Sequence, residues 1–258
     1  EIATDKQRMR EAFADHCHEV TPHHTRVEDD SIESIDAVEE KVGYPVIVKP
    51  ANLASSLLIQ RCDTAEQLQA ALTKAFIAIE TLYQESDRHE EPALIVEQML
   101  EGELYSVDTY IANDGAMWHC PPVAYVTGQS IGIDDFFLYR RSAPVSLELV
   151  DWLACRRAVE QGIAAIGLRA TTAHVELCKT RDGWKIIEIG PRVGRYRIEM
   201  YRDVYGIAHS DNDVRVRLGQ EPEVIAEAHA SCAVYSIYPA AEGILERIER
   251  FDAVHELP

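Results

Sequence analysis

The chain has 258 residues, of which 47% are hydrophobic and 27% are charged, and its formal net charge is −19 at pH 7. This composition predicts a soluble, globular protein with a sizeable core. The acidic excess disfavours nucleic acids and anionic membranes as partners. No apolar run is long enough to cross a bilayer, and the six cysteines are scattered without metal-binding spacing. The start does not resemble a signal peptide, so we predict a cytoplasmic protein with reduced thiols.

Two helices are predicted near the N-terminus. Residues 4–18 form the first, with Thr4 or Asp5 as its cap. Lys6 lies in its first turn, where a solvated surface lysine is the ordinary alternative to a binding role. Ser31 is predicted to cap the second helix. Because the chain begins on a glutamate without a methionine, it is expected to be an excised piece of a longer protein.

A short apolar strand over residues 44–50 delivers Lys49 near its end. A buried ammonium without a partner is costly, and phosphate oxygens would satisfy it; a lysine that reaches solvent is the alternative. The next residues, 51–56, are mostly small or polar, as expected of a loop that covers phosphates. A strand over 57–60 and an amphipathic helix over 64–84 follow.

The later elements follow from the same patterns. A loop over residues 127–144 has no clean period, and it is interpreted as either a cover over a site or a plain surface excursion. Hydrophobic periodicity and turn residues predict the others, which are a strand at 93–100, a hairpin of 105–112 with 116–120, a helix at 147–167, a helix at 198–219 and a strand at 231–238.

A hairpin with an Asp-Gly turn at 182–183 carries the strongest chemical signal. Alternation predicts Trp184, Ile186 and Glu188 on one face. If Glu176 pairs opposite or diagonal to Glu188, two carboxylates lie a few ångströms apart and repel unless a cation joins them. Oxygen ligands of this kind suit Mg²⁺ or Mn²⁺ holding a polyphosphate. A solvent-facing glutamate pair is the alternative.

Six short motifs occur in a specific order along the chain. They are Asp-Lys at 5–6, Gly-Tyr-Pro-Val-Ile-Val-Lys-Pro at 43–50, Val-Glu-Gln-Met-Leu-Glu-Gly at 96–102, Tyr-Ser-Val-Asp at 105–108, His-Val-Glu at 174–176 and Glu-Ile-Gly-Pro-Arg at 188–192. This order resembles the ATP-grasp superfamily over residues 4–219. The resemblance is greatest to the carboxylate–amine ligases that join amino acids, with biotin carboxylase and carbamoyl phosphate synthase as relatives.

The resemblance implies a role for each motif. In this family lysines hold the ATP phosphates, hinge backbone groups meet the adenine, two carboxylates bridge the metal, and an arginine steadies the acyl phosphate or substrate carboxylate. By position these roles fall on Lys6, Lys49, Ser55 and Ser56 for the phosphates, Glu97, Gln98 and Leu100 for the adenine, Glu103 for the ribose, Glu176 and Glu188 for the metal, and Arg192 for the substrate. His174 is expected in the core, with substrate contact as the alternative.

Several positions depart from the family pattern. The phosphate loop lacks glycines, so its grip is expected to depend on serines and backbone amides. Leu104 stands where relatives often have the ribose-binding glutamate; Glu103 is one residue away, and a one-residue offset in a strand changes the face. Gly190 removes an asparagine ligand that is common in the family. Arg195 and Arg197 add cations near the expected substrate.

The predicted fold is α+β, an ATP-grasp fold in which two α+β subdomains clamp ATP and the usual N-terminal domain is absent. We expect lead-in helices at 1–40, an N-terminal subdomain at 41–100, a C-terminal subdomain at 101–219 and a further segment at 220–258.

The implied activity is an ATP-dependent carboxylate–amine ligase that forms an amide or peptide bond through an acyl phosphate, with Mg²⁺ or Mn²⁺ as the metal. The expected partners are small carboxylates and amines, amino acids foremost, and neither nucleic acid nor membrane; a homodimer is left open. Two alternatives remain. One is a noncatalytic ATP-binding regulatory module, which Leu104 and Gly190 favour. The other is a carboxylase-type enzyme that uses bicarbonate.

Overall fold

Helices and antiparallel sheets alternate along the chain in a computed structural model that describes residues 2–51, 58–85, 93–133, 135–238, 243–244 and 246–247. The helices are α1 (Lys6–His16), α2 (Ile32–Lys41), α3 (Ala65–Glu85), α4 (Leu149–Ala165), α5 (Arg197–Tyr205) and α6 (His209–Arg217). The strands are β1 (His24–Val27), β2 (Val46–Pro50), β3 (Gln60–Cys62), β4 (Leu94–Gln98), β5 (Glu103–Ile111), β6 (Met117–His119), β7 (Val123–Thr127), β8 (Leu138–Ala143), β9 (Thr171–Thr180), β10 (Gly183–Gly190) and β11 (Cys232–Tyr235). The predicted α+β class is confirmed.

The first sheet has four antiparallel strands in the order β1-β4-β2-β3. Its apolar side packs under α2 and α3, where Val38, Val48, Leu72 and Val96 are fully buried. Burying one such side chain contributes about 1.5–3 kcal/mol. The ends of β2 and β4 therefore sit on a rigid base, and they carry the lysine and the glutamate that the sequence singled out.

The second sheet runs in the order β10-β9-β5-β7-β8-β11, with β6 also paired to β5. One face packs against α1 and α4 through residues such as Phe13, Val159 and Val175. Because side chains alternate along a strand, the residues between these buried ones point to the opposite face. That opposite face, called the polar face below, holds most of the candidate site.

Local signals in the sequence predicted both N-terminal helices. The side chain of Asp5 accepts a hydrogen bond from the Arg8 backbone N–H at 3.1 Å, and the Ser31 hydroxyl accepts one from Ser34 at 3.2 Å. Each satisfies a backbone donor that the helix itself leaves without an acceptor. The predicted caps are confirmed, and α1 therefore begins at Lys6.

Three element predictions were wrong in part. The irregular segment 127–144 contains β8, which pairs with both β7 and β11. The single helix expected over 198–219 is two helices, separated at Gly206, whose φ of +72° is the left-handed turn of a helix C-terminus. The strand expected over 57–60 is found at Gln60–Cys62, so it begins three residues later and ends two residues later.

β11 comes from the segment 220–258 and extends the second sheet through β8. The subdomain boundaries themselves stay predictions. Within the described part of the chain, no helix has the length and apolar character that a bilayer crossing requires.

Candidate functional site

The hairpin of β9 and β10 brings the two predicted metal carboxylates face to face. Glu188 pairs directly opposite Glu176, and the register shifts between Ile186 and Glu188. This β-bulge corrects the prediction that Trp184, Ile186 and Glu188 share a face. An extra residue at the bulge turns Glu188 onto the polar face, while Ile186 stays in the core against α4.

A buried ion cluster lies where β2, β4 and α1 meet. The Nζ of Lys49 is 2.6 Å from one Glu97 oxygen, and the guanidinium of Arg10 binds both oxygens of that carboxylate at 2.8 and 3.1 Å. These three side chains are 1–5% exposed. Among the described residues the cluster holds two cations and one carboxylate, which leaves one buried positive charge without a carboxylate partner.

The pKa values in the cluster follow from the fact that Arg10 and Lys49 share the one carboxylate of Glu97. Burial alone would raise the pKa of Glu97, but the charges of Arg10 and Lys49 outweigh it and hold that pKa at about 2. Burial, together with the competing charge of Arg10, lowers the pKa of Lys49 to about 8, although Glu97 opposes the change. An added anion would favour the charged lysine.

Arg10 also joins the cluster to the carboxylate hairpin. Its remaining donors reach the backbone oxygens of Ile186 and Ile187 at 2.8 and 2.7 Å, which is the bulge that turns Glu188. The sequence analysis did not single out Arg10. It follows Met9 directly and lies one turn before Phe13 on the helix, and a charged residue at a buried helix position was the available signal.

Lys6 lies at the first position of α1, with its Nζ 3.7 Å from a Glu188 oxygen. Its backbone N–H donates to the oxygen of Ala51, which follows β2, at 2.7 Å. α1 therefore places Lys6 and Arg10 one turn apart, between the end of the first sheet and the polar face of the second.

A second polar network contacts Glu176 on its buried side. His174 is 3.3 Å from a Glu176 oxygen through Nε2, and its Nδ1 contacts Asp108 at 2.5 Å. Asp108 is fully buried and also accepts from His209 at 2.8 Å and from the Gly194 backbone N–H at 2.8 Å. His174 is thus buried in a network beside the two predicted metal carboxylates, which fits the expected core position.

The network shifts the pKa values of its members. Burial disfavours charge on His174, but Tyr125 and Asp108 outweigh it and raise its pKa well above the usual range. For Asp108 burial is again outweighed, here by His174 and His209, and the pKa falls. The pKa of Glu176 is lowered against burial by His174 and by more distant arginines. All three groups are therefore held in their charged forms.

Arg197 closes the network at the start of α5. Its guanidinium donates to Ser106 at 2.7 Å and to the Tyr125 hydroxyl at 2.8 Å, and the residue is fully buried. A Cβ on Gly194 would clash with His174 Nδ1, so glycine is required for the chain to pass this closely. Neither the hydrogen bonds of Arg197 nor the close approach of Gly194 to His174 follows from the spacing of these residues in the sequence.

The other predicted site residues are placed less directly. The Gln98 backbone N–H donates to His23 at 2.8 Å, and Leu100 is half-buried at the end of that segment. Glu103 accepts from Tyr105 at 3.1 Å, on the face opposite Glu176, so the structure does not bring it to the carboxylates. Ser55 and Ser56 lie outside the described residues.

Arg192 is exposed just after β10, where its guanidinium donates to the Val193 oxygen at 3.0 Å. A Cβ on Gly190 would stand 3.7 Å from the Arg192 side chain, which therefore runs alongside that glycine. Its charge is one of those that lower the pKa of Glu176. Arg192 thus stands beside the carboxylate pair.

The residues fit a magnesium ion that is shared with phosphate groups. No group of three or more histidine, cysteine, aspartate or glutamate side chains within the described residues could enclose a metal by itself. Mg²⁺ is commonly held by one or two carboxylates together with substrate phosphates, so Glu176 and Glu188 match that mode. Manganese prefers the same oxygen ligands.

The family profile of the ATP-grasp domain matches residues 42–199, more than half of the chain. The chain belongs to the ATP-grasp family. The predicted resemblance and the predicted ATP-grasp fold are therefore confirmed, and the profile spans Lys49, both predicted metal carboxylates and Arg192.

Individual relatives agree with this assignment. A D-alanine–D-alanine ligase of Bacillus cytotoxicus is 32% identical over 108 residues, which are 42% of this chain and 25% of that protein. An L-amino acid ligase of Bacillus licheniformis superimposes with a TM-score of 0.80 at 20% identity, covering 99% of this chain and 60% of that one. The ADP complex of N5-carboxyaminoimidazole synthetase from Staphylococcus aureus gives 0.71 at 17% identity, covering 92% and 57%. This chain thus spans about a quarter of the length of the Bacillus cytotoxicus D-alanine–D-alanine ligase.

Proposed function

We propose that this chain carries the ATP-dependent step of a carboxylate–amine ligase that forms an amide or peptide bond. The carrying observation is that Glu176 and Glu188 face each other on the polar face while Lys6, from α1, lies 3.7 Å from Glu188. Its relatives named above include ligases of D-alanine and of L-amino acids. Small carboxylates and amines, amino acids foremost, are the proposed substrates.

The ion cluster supports binding of the ATP phosphates. Lys49 and Arg10 outnumber Glu97, and a buried unbalanced cation is costly unless an anion neutralises it. Phosphate oxygens reached by Lys49 and Lys6 would supply that charge. For Glu97 a side-chain contact with adenine is disfavoured, because both of its oxygens are already bound; the hinge contact therefore rests on backbone groups.

Glu176 and Glu188 would hold Mg²⁺, which supplies charge neutralisation on the polyphosphate when bound. His174 and Asp108 fix the orientation of Glu176 from behind. Arg10 holds the bulge that turns Glu188 toward the proposed metal position. The chain's own contribution at this end of the site is therefore to position two charged carboxylates before substrate arrives.

The proposed reaction has two displacements. A carboxylate oxygen of the first substrate forms a bond to the γ-phosphorus as the bond from that phosphorus to ADP breaks. The amine nitrogen then attacks the acyl carbon, phosphate leaves and the amine loses a proton. The lysines and Arg192 stabilise negative charge in both steps, so catalysis is mainly positioning and electrostatics.

The test is phosphate release from Mg-ATP across a panel of amino acids and small carboxylates, with hydroxylamine present to trap an acyl phosphate as a hydroxamate. We expect release that depends on a particular carboxylate. Glu176→Gln and Glu188→Gln should each lower turnover at least about 100-fold, since a divalent ion loses a ligand. Asp182→Asn is the matched control, because it removes an exposed carboxylate from the same hairpin and keeps a favourable turn.

Three outcomes would contradict the proposal or a part of it. Full turnover in both glutamine variants contradicts the metal assignment. Binding of Mg-ATP without phosphate release across the whole panel favours the noncatalytic module instead. Release that depends on bicarbonate alone favours the carboxylase type.

A further inference from the structure

Two arginines border the polar face away from the ion cluster. Arg141, on β8, is 7% exposed, and its guanidinium carbon lies 5.2 Å from the centre of the Tyr196 ring. The guanidinium carbon of Arg195 lies 5.0 Å from the same ring centre. These two side chains, Arg141 and Arg195, are called the arginine cluster below.

The strand register puts Arg141 on the same face as the metal carboxylates. Arg141 pairs with Tyr125, Tyr125 pairs with Leu104, and Leu104 pairs with Cys178, two residues along β9 from Glu176. Three strand spacings separate β8 from β9, roughly 14 Å. The arginine cluster therefore lies across the polar face from the lysines, at a distance that a bound substrate can bridge.

The other charges on this face are matched. Asp108 and Glu176 are carboxylates, and His174 and Arg197 stand beside them as cations. No ion pair to a carboxylate is formed by the arginine cluster within the described residues. Arg141 has five N–H donors but a single hydrogen bond there, to the Ser236 hydroxyl at 3.1 Å.

Nearly full burial of an unpaired guanidinium is costly, and the protein as a whole carries a formal charge of −19. Two cations at one ring, neither paired with a carboxylate in the part of the chain that the structure describes, therefore require an explanation. Tyr196 adds a second indication, because its φ of +63° is a left-handed conformation that few non-glycine residues adopt. Backbone strain of this kind is concentrated at functional sites.

We propose that Arg141 and Arg195 bind a carboxylate that does not react, so that one substrate of this ligase brings a further acidic group. A planar guanidinium binds a carboxylate through two parallel hydrogen bonds, which makes a pair of them selective for this group. The inference rests on the proposed ligase function. The carboxylate has two sources: a second acid group on the activated substrate, or the free carboxylate of the amine substrate.

The experiment compares Arg141→Gln with Arg140→Gln in the full chain. Arg140 is the adjacent residue, exposed and on the opposite face of β8, so it is a matched control. Loss of a charged hydrogen-bond partner is expected to raise KM for the acidic substrate about 10- to 150-fold. We expect kcat and the KM for ATP to change less than about threefold. Arg195→Gln, at an exposed position that tolerates substitution, should act in the same direction.

Two arms distinguish the sources. With hydroxylamine in large excess over the amino groups of the substrates themselves, aspartate and glutamate are compared with asparagine and glutamine, which have the same shape without the second charge. With the activated substrate fixed, amino acids are compared with their amides as amine substrates. If Arg141→Gln raises KM only for aspartate or glutamate in the first comparison, the carboxylate belongs to the activated substrate. If it raises KM only for the free amino acids in the second comparison, the carboxylate belongs to the amine substrate.

KM values within twofold of the wild-type chain in both arms would overturn the inference while leaving the ligase proposal intact. If no carboxylate supports phosphate release, the ligase proposal fails, and a binding measurement then tests the acidic subsite by itself. The melting temperature is then measured with Mg-ADP and either glutamate or glutamine. Stabilisation by glutamate alone, lost in Arg141→Gln, supports the acidic subsite; equal stabilisation by both, or none, rejects it.

Discussion

Arg10 is the residue whose replacement tests the structure most directly. Its guanidinium makes four hydrogen bonds of 2.7–3.1 Å, two to the Glu97 carboxylate and two to the backbone oxygens of the β10 bulge. Breaking a buried ion pair on one side costs about 3–5 kcal/mol, and each buried acceptor left without a donor costs about 1–3 kcal/mol. Lys49 still pairs with Glu97, so we expect Arg10→Met to lower the free energy of unfolding by about 4 kcal/mol.

Urea unfolding at pH 7 measures this loss as a lower midpoint with an unchanged slope. Arg8→Met is the matched control, because Arg8 is exposed on the same helix, and it should change stability by less than about 0.5 kcal/mol. Arg10→Lys keeps the charge but not the fork of donors, so an intermediate loss is expected. A loss below about 1 kcal/mol for Arg10→Met would refute the argument.

The same variant has a defined pH dependence. The pKa of Glu97 is about 2 in the folded chain and is usually 4.5, so its pairing stabilises the fold above pH 4.5. This stabilisation is lost as the pH falls from 4.5 toward 2. Removing Arg10 removes part of it, so the difference between wild-type and Arg10→Met chains should be largest above pH 5 and narrow toward pH 2. A difference that stays constant through this range would contradict the assigned cause.

Three further outcomes are expected. Gly194→Ala places a Cβ against His174 and should cost about 1–3 kcal/mol in thermal unfolding, while Gly243→Ala, with no atom of the described residues within 4 Å, should be neutral. Asp108→Asn removes the charged partner of His174 and should weaken Mn²⁺ binding, followed by electron paramagnetic resonance, about 10- to 100-fold; unchanged affinity argues against support of the metal site. Five of the six cysteines are buried, so Ellman's reagent should label at most Cys232 in the native chain and all six thiols in urea.

The elements of the fold were largely predictable because local signals specify them. Caps at Asp5 and Ser31, the Asp-Gly turn at 182–183 and the apolar periods gave most helices and strands within a few residues. β8 was missed because polar side chains occupy both of its faces, with Arg140 and Arg141 adjacent, so no alternation is visible in the sequence. Its pairing partners alone define it as a strand.

The site was only partly predictable, because some of its contacts join residues far apart in the chain. The sequence indicated Lys49 and the glutamate pair, but Arg10 binds Glu97 across 87 positions and no local pattern encodes that contact. Asp108 belonged to a recognised motif, yet its role depends on three partners that reach it from β9, α6 and the loop before α5. Tertiary packing determines these contacts.

The bulge in β10 has a consequence for comparing related chains. Trp184 and Ile186 face the core two residues apart, but the next core residue, Ile189, is three residues further on. The alternation of side chains between the two faces is therefore interrupted once, at Ile187. Deleting that single residue would remove the bulge and leave Ile186, Glu188 and Ile189 in regular alternation, with the Glu188 carboxylate still on the polar face. A one-residue gap at this position in an alignment would therefore mark a chain that lacks the bulge contacted by Arg10, and not a chain that has lost the carboxylate.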